Sequence, residues 1–180
     1  MATKTALCIG INNYPGTAND LNGCVNDVAD WEAELTKRGF AVKKLIDAQA
    51  TRNNIIKALK NLLTKTAAGD SVVVQFSGHG SFVPDENGDE PDEQDECICP
   101  YDIATADGNP YYITDDELFQ LYSLRHKDCN LVIISDSCHS GSVAKAGPVL
   151  SIGALNRKAR FLAPEAFLSS NELLAFGSTQ

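Results

Sequence analysis

Two stretches decide the fold: SVVVQFSGHGS at residues 71–81 and NLVIISDSCHSG at residues 130–141. Each opens with an apolar, β-branched run too short for a helix, residues 71–76 and 130–135, and ends in small turn-forming residues around a histidine or a cysteine. Near-continuous apolar strands belong to a sheet covered on both faces. Outward from them the chain alternates. Residues 6–11 form a strand-like run that ends in the turn residues Asn12, Asn13, Tyr14, Pro15 and Gly16. Leu21, Val25, Val28, Glu32 and Leu35 predict a helix over residues 20–38, stopped by Gly39. A second strand is expected at 41–46 and a second helix at 51–66, carrying Ile55, Ile56, Leu59, Leu62 and Leu63. Thr114 to Glu117 reads as a capping box that opens a helix over 115–126. A long acidic loop is expected at 84–96 and one more strand at 172–176. The pattern predicts an α/β fold, a mostly parallel β-sheet flanked by helices on both faces, with chemistry beyond the carboxyl ends of the strands.

Composition narrows the function classes. The 180 residues carry 15 Lys+Arg against 24 Asp+Glu, a net charge of −9, which suits one acidic globular domain and not a nucleic-acid binder. No apolar run approaches the roughly 18 residues of a membrane helix, and the start lacks the apolar segment of a signal peptide. A cytoplasmic protein with neither nucleic acid nor membrane as partner is the expectation. Of the six cysteines, Cys8 and Cys129 sit in apolar runs and read as core, and a disulfide framework is not expected. Cys97 and Cys99 form the one close pair; without a C-x-x-C, neither zinc nor thioredoxin-like chemistry is indicated. A C-x5-R phosphatase is excluded by Ala144, and no nucleotide-binding glycine motif follows the first strand.

If the two decisive strands are parallel neighbours, His79 and Cys138 emerge side by side. That is the pairing nucleophilic thiol catalysis needs. A thiol with a pKa of about 8.5 is mostly protonated at neutral pH, and an adjacent imidazole can take its proton and later hand one to the leaving amine. The amides of Gly80 and Cys138 are placed to face a developing oxyanion. His139 also neighbours the thiol, but as the next residue in sequence it points elsewhere.

SGHGS and DSCHSG, with 59 residues separating the histidine from the cysteine, resemble the two motifs of the caspase-like cysteine peptidases. The caspase signature Q-A-C-[RQG]-G is absent because Ser137 and His139 flank Cys138. DSCHSG instead resembles the metacaspase branch with its bacterial orthocaspases. The likeness runs from LCIGINNY to ELLAFGSTQ. It implies a caspase-like fold and a cysteine endopeptidase, made as a zymogen, that hydrolyses bonds after Arg or Lys through a His79–Cys138 dyad. It also implies an acidic substrate pocket at Cys24, Asp27, Ser77 and Asp136. Cys24 and Asp27, at i and i+3, share a helix face, and Asp27 with Asp136 suits a guanidinium. Asp95, Asp115 and Asp116 match three of the four positions of the family's calcium site, but Lys145 stands at the fourth and should repel the ion. An EF-hand fails too, because Glu90 occupies its glycine position. No cofactor is therefore expected to be required, with weak calcium binding as the alternative.

Basic residues between the two parts of such enzymes are self-processing sites, which here means Lys145, Arg157, Lys158 and Arg160, with the 157–160 cluster ranked first. The expected organisation is a catalytic, large-subunit-like region at 1–143, a linker at 144–170 and the truncated start of a small-subunit-like region at 171–180. The expected partners are protein or peptide substrates with a basic residue before the scissile bond, acted on by a monomer. The alternative is a non-proteolytic caspase-like interaction module, or a large subunit that needs a separate small subunit for activity.

Overall fold

The computed structural model describes residues 2–84, 94–103, 111–137 and Arg160. Strands β1 (Lys4–Gly10), β2 (Ala41–Ile46), β3 (Ser71–Ser77) and β7 (Asn130–Asp136) form a parallel sheet in the order β2-β1-β3-β7. Its two faces are covered separately, as the apolar strands require. On β1, Ala6 and Cys8 point to the side of helix α1 (Cys24–Lys37), where they pack with Val28, Leu35, Val73 and Ile134. Leu7 and Ile9 point the other way. There they join Ile55, Leu59 and Leu63 of helix α2 (Arg52–Leu63) and Leu118, Leu121 and Tyr122 of helix α3 (Asp115–Tyr122). A partly exposed Arg52–Glu117 ion pair at 2.6 Å ties α2 to α3.

Helix α1 begins at Cys24 and not at residue 20, because Gly23 takes a left-handed conformation with φ of 102° and has no side chain to cap with. The cap comes from a distant loop: Asn12 Oδ1 accepts the Cys24 N–H at 2.9 Å. The other helices are also shorter than their patterns suggested, and Thr114 caps α3 as expected, accepting the Glu117 N–H at 3.2 Å. The expected acidic loop is corrected at both its ends. Pro84 closes strand β4 (Gly80–Pro84), and residues 94–96 open strand β5 (Gln94–Ile98). These two and β6 (Ile113–Thr114) form a small antiparallel sheet beside the main one. Strand alternation is present in QDECI, but one inward position is the buried Asp95, which disguised it. The strand expected at 172–176 lies outside the described residues.

Gly10, at the carboxyl end of β1, lets α1 approach the sheet. A Cβ there would sit 2.6 Å from the Cys24 carbonyl oxygen and 2.6 Å from Val28 Cγ2. The first of these is helix backbone and cannot swing aside. Gly10→Ala is expected to lower unfolding free energy by about 1–3 kcal/mol, read as an earlier urea midpoint. An unchanged midpoint would mean that α1 slides freely on β1.

Candidate active site

The β3–β7 register pairs Ser77 with Asp136 as the last rung of the ladder. His79 follows that rung by two residues, which places it at the carboxyl edge of the sheet, and in the sequence Cys138 follows Asp136 by the same two. Cys138 lies outside the described residues. His79 is buried and held at several atoms. Its backbone N–H donates to the Tyr14 hydroxyl at 3.0 Å, and its carbonyl accepts the Cys99 N–H at 3.0 Å. Its Nε2 lies 2.8 Å from the Asn19 carbonyl oxygen. A carbonyl can only accept, so Nε2 carries the proton and Nδ1 becomes the basic nitrogen of the neutral ring. Gly78 has no room for a side chain: a Cβ would lie 2.8 Å from Phe76 Cζ and 3.0 Å from the Tyr14 hydroxyl.

Asp27 and Asp136, the expected pocket acids, are both engaged by the chain itself. Arg160 donates from Nη2 to Asp27 Oδ2 at 2.7 Å and pairs through Nη1 with Asp136 Oδ2 at 2.8 Å. Nη1 also donates to the Asp136 carbonyl at 2.7 Å. The guanidinium side chain is 5% exposed, against 14% for Asp27 and 33% for Asp136. At the other end of the same residue, the Arg160 carbonyl oxygen accepts the Gly80 N–H at 2.8 Å. Cys24 is buried beside this group, and burial pushes its thiol up to about 11, so it stays neutral.

The structure thus gathers Cys24, Asp27, Asp136 and Gly80 around Arg160. Ser77 does not join them through its side chain: it is fully buried and its hydroxyl accepts a bond from Gln75 Nε2 at 2.7 Å. Lys145, Arg157 and Lys158 lie outside the described residues. Asp95 and Asp115 are buried at neighbouring ends of β5 and α3, but no group of three or more His, Cys, Asp or Glu with metal-holding geometry occurs among the described residues. Sequence reasoning missed Asn19 and Tyr14. Asn19 acts through its backbone and left no side-chain signal; Tyr14 read only as a turn residue.

Comparisons with known proteins agree with this geometry. A family model described as metacaspase, peptidase C14 domain, matches residues 4–146. Metacaspase-6 of Arabidopsis thaliana is 43% identical over 150 residues, 78% of this chain and 39% of its own. Metacaspase-7 of the same plant is 45% identical over 150 residues, covering 35% of its length. Metacaspase-1B of Aspergillus terreus is 40% identical over 151 residues, covering 77% of this chain and 38% of the relative. The chain therefore spans less than two fifths of the length of these relatives. A crystal structure of a Geobacter sulfurreducens protein is 31% identical, with a TM-score of 0.72 over 98% of this chain and 64% of that one.

Proposed function

This chain belongs to the metacaspase family of C14 peptidases, and from that membership and the filled pocket we propose a cysteine endopeptidase that cleaves after arginine or lysine and processes itself after Arg160. One observation carries the reading. A single residue offers its guanidinium to two carboxylates and its carbonyl oxygen to the Gly80 amide, the arrangement expected of the residue before a scissile bond.

The steps follow from the site. His79 Nδ1 takes the Cys138 thiol proton, and the sulfur attacks the substrate carbonyl carbon. Negative charge builds on the carbonyl oxygen, where the Gly80 N–H already points. The C–N bond breaks as His79 returns the proton to the leaving amine, and water then hydrolyses the thioester, again deprotonated by His79. The Asn19 carbonyl stabilises the imidazolium formed in between. Asp27 and Asp136 supply charge-assisted bonds that favour the planar fork of arginine over the point charge of lysine. While Arg160 stays in place the pocket is closed to other substrates, so the uncut chain is a zymogen.

Incubation of the purified protein is expected to release a fragment whose N-terminus is Phe161, seen by N-terminal sequencing. Arg160→Ala should suppress that cut, and Cys138→Ala should abolish it. Cleavage at Lys145, Arg157 or Lys158 in the parent protein, with none at Arg160, would remove the assignment.

A further inference from the structure

Tyr14 is tied to His79 by both its ring and its hydroxyl, and the peptidase reading gives it no role. Its side chain is 5% exposed. The ring lies 4.9 Å from the imidazole, centroid to centroid, at an interplanar angle of 49°. The hydroxyl accepts the His79 N–H at 3.0 Å and donates to the Cys99 carbonyl at 3.0 Å, while the Cys99 N–H returns to the His79 carbonyl at 3.0 Å. The three groups close a ring of hydrogen bonds that ties β5 to the turn after β3. Burial holds the Tyr14 phenol well above its ordinary pKa, so it keeps its proton as a donor; Cys99, Cys24, Arg160 and His79 are the groups that bear on it.

The turn carrying Tyr14 is itself fixed from the far side. Asp47, the one non-glycine described residue with positive φ, at 45°, accepts the Asn12 and Asn13 N–H groups at 2.7 and 3.0 Å and Asn13 Nδ2 at 2.8 Å. Tyr14 N–H donates to Asp20 Oδ1 at 3.1 Å. A strained residue held by three bonds marks a place where position matters more than local comfort.

We propose that Tyr14 is a positioning residue: through its hydroxyl bridge to the His79 amide and the Cys99 carbonyl, and its ring against the imidazole, it fixes the general base for proton transfer. The proposal rests on the peptidase reading for its kinetic consequence and on geometry for its structural one, so two readouts separate them. Tyr14→Phe keeps the ring and removes the bridge. It is expected to lower kcat about tenfold on an arginine peptide while KM stays within about twofold, since the acidic pocket is untouched. Proton NMR of the same variant should show the His79 ring signals shifted or split and its backbone amide exchanging faster with solvent. Tyr122→Phe, at another buried tyrosine, which lies on helix α3, controls for loss of a buried hydroxyl as such. Unchanged His79 signals in Tyr14→Phe, or equal kcat losses in the two variants, would overturn the positioning role. A parent protein that cleaves nothing would overturn the peptidase reading instead, and the NMR comparison would still decide the geometry. If Tyr14→Phe fails to fold, Asp47→Ala loosens the same turn from outside, and His79 signals that do not move there would likewise defeat the proposal.

Discussion

His79→Ala is expected to reduce kcat/KM for an arginine peptide by about ten-thousandfold, near the upper limit for removing a general acid–base group. The loss is large because the imidazole acts twice. Without it the thiol must ionise unaided, and the leaving amine must depart without a proton. Nε2 is committed to the Asn19 carbonyl at 2.8 Å, so a substitute base has to supply a lone pair where Nδ1 now stands. Thiol alkylation measured against pH provides the independent check. The parent protein should react well below the ordinary thiol pKa of about 8.5, and His79→Ala should react only as that pKa is approached. Because His79 is buried, the comparison is made on protein shown to be folded by its thermal transition. Activity within tenfold of the parent would pass the base role to His139.

The fold was legible where hydrophobic patterning is strong. All four strands of the main sheet, and their shared parallel direction, follow from short β-branched runs separated by helical spacings. The β3–β7 adjacency, on which the His79–Cys138 argument hangs, was only a condition in the sequence and is a hydrogen-bonded ladder in the structure. The small antiparallel sheet was illegible because its central strand buries an aspartate, a residue that marks loops in most contexts. The helix α1 start was misplaced because its cap, Asn12, lies outside the helix by a dozen residues. Two parts of the site were illegible for a related reason. Asn19 contributes a backbone carbonyl, which every residue has. Tyr14 contributes a hydroxyl whose partners lie 65 and 85 residues away in sequence. The sequence put the 157–160 cluster first among the basic linker residues but offered no choice within it; the contacts of Arg160 come from pairing across 133 residues with Asp27.

That pairing carries the second large effect. Asp27→Asn is expected to lower kcat/KM for an arginine peptide by about a hundred- to a thousandfold, the range of breaking a buried ion pair of about 3–5 kcal/mol, discounted for the exposure that remains. Asp136→Asn should cost less, for two reasons. Its carboxylate is more than twice as exposed as that of Asp27, so water already screens part of the attraction. The Asp136 backbone carbonyl, which takes a bond from the guanidinium at 2.7 Å, also survives the substitution. A peptide with an uncharged aliphatic residue before the scissile bond separates pocket from catalysis: once the chain is processed, its slow turnover should be unchanged in either variant, because both carboxylates bind the guanidinium of Arg160, a group this peptide lacks. Equal losses on both peptides would mean that Asp27 acts on the fold or the nucleophile. A greater loss for Asp136→Asn than for Asp27→Asn would mean that the anchoring charge sits on the strand and not on the helix. The proposed self-processing is expected to report on the same ranking, since Arg160 pairs with both carboxylates: release of the Phe161 fragment should slow in the order parent, Asp136→Asn, Asp27→Asn.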